Sequence, residues 1–142
     1  MLPSLLVPGI REAIRSSRAV KVFVNNIATQ VGDTENMDVL QHVQVVHSHV
    51  GDGLFDYVVA NDNFAAEVPS EWPSDLVRCG SQQELANLRL VEMDVIDDAN
   101  PVRHDPAKLS EALLKLYYDQ ASRRTSQRMP AMVSEPVAAQ TA

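Results

Sequence analysis

Three short polar clusters carry the residue types that could do chemistry. Arg103-His104-Asp105-Pro106 places a forked cation, an imidazole and a carboxylate directly before a helical pattern. Asp is a favoured helix cap and Pro suits the first helical position. One reading is a phosphate site: a helix start offers free backbone N–H groups and the positive end of its dipole, and arginine adds paired donors. The other reading is a plain cap at Asp105 with Arg103 as a surface charge. In the second cluster, Asn25, Asn26, Thr29, Gln30, Asp33 and Thr34 fall within ten residues. They can hold a sugar or a base through neutral hydrogen bonds, or simply form a turn and cap the next helix. Asn61, Asp62 and Asn63 form the third cluster, which can orient a hydroxyl and is equally well explained as a turn.

Other chemistries have weaker support. No GxGxxG or Walker pattern is present. His42, His47 and His49 share one helical stretch without the four-residue spacing of a zinc pair, so no metal site is expected there. Nothing near Cys79 marks an activated nucleophile, and it reads as a partly buried structural thiol. Trp72, between prolines, reads as a packing anchor. The carboxylates Glu92, Asp94, Asp97 and Asp98 can attract a divalent ion but are more simply a solvated strand end.

The elements that position these clusters alternate between helix and strand. Ile10, Ala13 and Ile14 share one face of a helix over about Pro8–Ser17. Val20–Asn25 is a nearly continuous β-branched run, the pattern of an interior parallel strand. Val39, Leu40, Val43, Val46 and Val50 give a helix over about Met37–Val50, with Asp33, Thr34 and Asn36 as candidate caps. Phe55–Ala60 is a second strand, Leu76–Cys79 a short one and Leu88–Val95 another. Leu109, Ala112, Leu113, Leu116 and Tyr117 line a final helix over about Pro106–Gln120. The order predicts an α/β sheet with helices on its faces. Ligands of such sheets sit outside the carboxyl ends of the strands, where Asn25–Thr34, Asn61–Asn63 and Asp97–Asp105 would gather.

Composition narrows the function classes. The chain has 142 residues, which suits one domain, and 45% are hydrophobic, enough for a core. The expected division is an α/β domain over 1–121 and a disordered tail over 122–142, a stretch rich in small and polar residues and broken by Pro130 and Pro136. Net charge is −7; Arg123, Arg124 and Arg128 against Glu135 give the last 21 residues +2 and leave the body at −9. Such a body repels polyanions, so nucleic-acid binding is not expected. A single cysteine excludes an intrachain disulfide and fits a reducing cytoplasm. No apolar run approaches the roughly 20 residues of a membrane span, and the first residues lack the pattern of a secretory signal.

The segments LPSLLVPGIREAI, KVFVNNIATQVGDTENMDVLQHV, FDYVVAND and RHDPAKL, taken in order, resemble the gluconeogenesis factor family. This is the YvcK-like branch of the group that includes the CofD-like 2-phospho-L-lactate transferases. The N-x-x-T-Q-x-G-E-T motif of that branch is matched by Asn26–Thr34, with Asp33 for Glu. In the helix that follows, Gln41-His42-Val43 stands for D-H-V, and RHDPxKL is intact at Arg103–Leu109. The resemblance spans about Leu2–Tyr117. It implies a Rossmann-like fold, a cytoplasmic location and a regulatory protein that binds a UDP-sugar and supports gluconeogenic growth and cell shape. The alternative it implies is a phospholactate transferase of deazaflavin coenzyme synthesis working with magnesium. Carried onto this sequence, the ligand-binding set is Asn26, Thr29, Gln30, Thr34, Asn61, Arg103, His104 and Asp105, with no metal ligand and no catalytic residue assigned. A nucleotide-sugar is the expected partner, no cofactor is evident, and a homo-oligomer is left open. The family's G-G-G-T-G, D-D-G-G-S-S-G and G-P-G-S-L-Y-T-S motifs have no counterpart here. The chain is therefore expected to match the carboxyl-terminal half of the family domain, and a fragment inactive on its own is a further alternative.

Overall fold

The structure, a computed structural model, describes residues 2–80 and 88–128. Two short helices, α1 (Leu2–Leu5) and α2 (Pro8–Ser16), lead into strand β1 (Val22–Val24). Helix α3 (Val39–Val50) connects β1 to β2 (Tyr57–Asn61), and β3 (Arg89–Met93) follows. The three strands form a parallel sheet in the order β1-β2-β3. A hairpin of β4 (Ile96–Asp97) and β5 (Asn100–His104) then precedes helix α4 (Pro106–Arg128).

The central strand explains the layering. Every residue of β2 is buried, and alternate side chains enter opposite cores. Val58 and Ala60 join Phe23, Val43, Val46 and Val50 under α3. Tyr57 and Val59 join Ile96, Ala112 and Leu116 under α4. The Tyr57 hydroxyl donates to Gln120 Oε1 at 2.8 Å, fixing α4 across that second face. A continuous apolar β-branched run is what a strand covered on both faces requires.

Several boundaries differ from expectation for identifiable reasons. Helix α3 is capped by Asp38, not by Asp33, Thr34 or Asn36. Asp38 Oδ1 accepts from Gln41 N while Gln41 Oε1 accepts from Asp38 N, a reciprocal capping box. Residues 30–36 instead fold into a turn, with the Asp33 and Thr34 amides donating to Gln30 O and Asn36 at φ 60°. The expected strand at Leu76–Cys79 is an isolated antiparallel bridge between Leu76 and Ala28. The stretch Asp97–Asp105 is not one polar loop: residues 100–104 are a strand. Pro101 argues against a strand, yet a two-stranded hairpin has only edges, where proline is tolerated. Trp72 is 40% exposed and so is not a core anchor. Helix α4 continues to Arg128, past the expected end at Gln120; the rest of the expected tail, residues 129–142, lies outside the described residues.

Gly80 sits against the Asp38 cap so closely that a Cβ there would collide with the carboxylate. Gly80→Ala should therefore displace the cap and lower stability by about 1 kcal/mol, the typical worth of such a cap. Asp38→Ala should lose a similar amount. Thermal melts of both variants and of the double variant check this, with the double variant expected to lose little more than either single change.

Candidate functional site

The hairpin carries Arg103 and His104 back to the carboxyl end of β1. His104 Nε2 lies 3.0 Å from the backbone oxygen of Asn25, 79 residues away in sequence. A carbonyl only accepts, so Nε2 carries the proton in this contact. The result is a groove of about 520 Å³ whose polar lining is Asn26, Thr29, Gln30, Ser74, Arg103 and His104. That volume lies within the usual range of small-molecule sites, roughly 300–1,000 Å³. Asn26, Gln30 and Arg103 are exposed, and their side chains make no hydrogen bond or ion pair among the described residues. These are the groups left free to meet a ligand.

The other expected ligand residues are engaged internally. Thr29 Oγ1 accepts from Asp75 N at 3.0 Å, and Thr29 N donates to Asp75 O at 2.9 Å. Thr34 Oγ1 accepts from Gln30 N and closes the turn. Buried Asn61 donates from Nδ2 to Asn63 O and accepts at Oδ1 from Val95 N, linking the ends of β2 and β3. Asp105 Oδ1 accepts from Ala107 N at 2.7 Å and Lys108 N at 3.0 Å. Pro106 has no N–H, and Leu109 N donates to Asp105 O. The first turn of α4 therefore has no free N–H to offer, and the expected phosphate contact through that helix start is corrected. Arg103 is left as the exposed cation of the motif that lines the groove. Ser74 was not singled out from the sequence; its place follows from the Thr29–Asp75 pairing, which no local pattern reveals.

Lys108, the last charged residue of the RHDPxKL motif, organises the hairpin. Its Nζ donates to both oxygens of Asp94 at 3.1 Å, to Ile96 O at 3.0 Å and to Asp98 Oδ2 at 3.1 Å. Burial pushes the Asp94 carboxyl up, but hydrogen bonds from Lys108 and Asn63 outweigh it and hold the group below its ordinary 3.8. The bond to Asp94 raises the Lys108 ammonium above its ordinary 10.5. The acidic cluster thus surrounds a lysine, and no group of three or more His, Cys, Asp or Glu among the described residues is arranged to hold a metal ion. Burial, with Glu92 next, pushes the Cys79 thiol up to about 12, in keeping with a structural thiol. Among the described residues, no helix is long and apolar enough to cross a membrane.

Comparison with known proteins agrees with the fold and the family resemblance. The family model described as 2-phospho-L-lactate transferase CofD matches residues 1–120. The putative gluconeogenesis factor of Aquifex aeolicus is 33% identical over 126 residues, covering 82% of this chain and 37% of that protein. The gluconeogenesis factor of Halalkalibacterium halodurans is 33% identical over 129 residues, covering 81% of this chain and 38% of the relative. A crystal structure of a UPF0052 family protein from Bacillus halodurans superposes with a TM-score of 0.66 at 27% identity, covering 80% of this chain and 38% of that one. The chain thus spans less than two-fifths of the length of these relatives.

The Lys108 clamp predicts a pH window. A lowered Asp94 pKa stabilises the fold above 3.8 and ceases to do so as pH falls through the folded value. A raised Lys108 pKa stabilises it below 10.5 and ceases to do so as pH rises through the folded value. The melting temperature of Lys108→Met should therefore lie below that of the parent at neutral pH. The gap should narrow below about pH 4 and above about pH 10.5. A constant gap across the range would contradict the clamp.

Proposed function

The chain belongs to the CofD family, and on that footing we propose that it binds a nucleotide-sugar of the UDP-sugar class and acts as a regulatory binding protein. The observation that carries this reading is the groove between Asn26–Gln30 and Arg103–His104. It offers a guanidinium unpaired among the described residues for a phosphate, beside amides that can both donate to and accept from sugar hydroxyls. The names of the relatives support a role in gluconeogenic growth. A cytoplasmic setting and an influence on cell shape belong to the same proposal. His104 has a positioning role in it: its hydrogen bond to Asn25 O fixes the distance between Arg103 and the Asn26 loop.

The description of the family model favours a second reading, transfer of a phospholactate group. Magnesium would serve such a transfer. Asp94 and Asp98 are held by Lys108, and the described residues do not fit the ion, so no step of the present reading runs through it. Incubation with a phospholactate donor, a deazaflavin acceptor and magnesium separates the two: product formation would favour the transferase.

Calorimetric titration of UDP-N-acetylglucosamine into the full chain and its Arg103→Ala form tests the first reading. Loss of a charge-assisted contact should weaken affinity about tenfold or more. Equal affinities would remove Arg103 from the site, and no binding to the parent would reject the nucleotide-sugar reading for this chain.

A further inference from the structure

A cavity of about 460 Å³ opens between β3 and α4, at the end of the sheet opposite the Arg103 groove. Its position follows from the topology. The three strands are parallel, and the groove lies beyond the carboxyl end of β1, beside Asn26. Tyr57 and Arg89, the first residues of β2 and β3, line the cavity at the amino end. Helix α4 starts beside the groove and runs back across the sheet, so its later residues Lys115, Asp119 and Arg123 reach the same cavity.

Three cations from two elements line it. Lys115 and Arg123 are exposed and make no hydrogen bond or ion pair among the described residues. Asp119 lies about one helical turn from each and forms no ion pair with either. Arg89 is exposed but held in place. Its Nη1 donates to the Tyr57 hydroxyl at 3.3 Å, and its guanidinium carbon lies 5.8 Å from the centre of that ring. The same hydroxyl donates to Gln120 Oε1 at 2.8 Å. The other N–H donors of the guanidinium remain available. Glu92 also borders the cavity, but alternation along β3 sends its side chain to the opposite face, where it hydrogen-bonds the Cys79 thiol. Three positive charges therefore stand against the one negative charge of Asp119, in a chain whose net charge is −7. Behind them, Val91 and the buried Leu116 form an apolar wall.

We propose that this cavity binds a small phosphomonoester with an apolar body, at a site separate from the Arg103 groove. A phosphomonoester group carries a charge of about −1.5 to −2 and three strong acceptor oxygens. That complements a local excess of positive charge supplied by three side chains that only donate. A single carboxylate brings one charge and two oxygens, and would leave one of the cations unmet. The carbon part of the ester packs on Val91 and Leu116. The inference stands on β3 and α4 alone and does not depend on the nucleotide-sugar reading.

Calorimetric titration of phenyl phosphate, phenyl sulfate and inorganic phosphate into the full chain tests this. Phenyl phosphate should bind most tightly, because phenyl sulfate has the same body with less charge and inorganic phosphate has the charge without the body. Changing Lys115→Gln and Arg123→Gln together should weaken phenyl phosphate about tenfold or more, the effect of losing hydrogen bonds to charged groups. Both positions are exposed on a helix and glutamine is a good helix former, so the fold should be kept. Arg103→Ala should leave the affinity for phenyl phosphate unchanged, which separates this cavity from the groove. No binding of phenyl phosphate, or equal binding of phenyl sulfate, overturns the inference. So does a loss of affinity in Arg103→Ala that the double variant does not show.

Discussion

The hydrogen bond from His104 Nε2 to the carbonyl of Asn25 is the contact on which the groove depends. It joins the hairpin that carries Arg103 to the loop that carries Asn26. Its geometry is maintained from several directions. Asp105 N donates to Val95 O, and Val95 N donates to Asn61 Oδ1, so the base of the hairpin is fastened to the end of the central strand. Lys108 gathers Asp94, Asp98 and Ile96 O at the other side of the hairpin. Asn61, Val95 and Ile96 are buried, where an unpaired donor or acceptor would be unfavourable, so pairing at that end of the central strand is the constraint that fixes the loop.

Legibility of the fold followed the strength of the local signal. The runs at Val20–Asn25 and Phe55–Ala60 and the valine period of α3 were readable because burial on a sheet or under a helix imposes those periods. The hairpin was missed because β4 is two residues long and β5 contains Pro101, which weakens any strand pattern. The Asp38 cap was open to recognition in its D-x-x-Q spacing, but Asp33, Thr34 and Asn36 offered the same chemistry a few residues earlier. Local propensity could not decide among them. The close approach of Gly80 to Asp38 comes from tertiary structure.

The clustering of the strand ends was partly legible, the division of labour less so. Strand-end position anticipated Asn26, Thr29, Gln30, Arg103 and His104 around one groove, whereas Thr34, Asn61 and Asp105 do not line it. Sequence could not separate the residues that face a ligand from those that hold the loop. Asn, Thr and Asp serve both purposes with the same atoms, and the partners that engage Thr29, Asn61 and Asp105 come partly from distant segments.

That division bears on how an acidic protein can hold an anion. With a net charge of −7 the chain gains nothing from long-range attraction of a phosphate, so recognition has to be short-ranged. Arg103 lines the groove unpaired among the described residues, and Asp105 beside it is occupied in capping α4. The carboxylate that could compete for the guanidinium is thereby turned toward backbone amides. The same cap that takes the helix N–H groups away from a ligand also leaves Arg103 available to one. In this site, anion binding would rest on a single exposed guanidinium and neutral amides, with the field of the helix start already screened by its own cap.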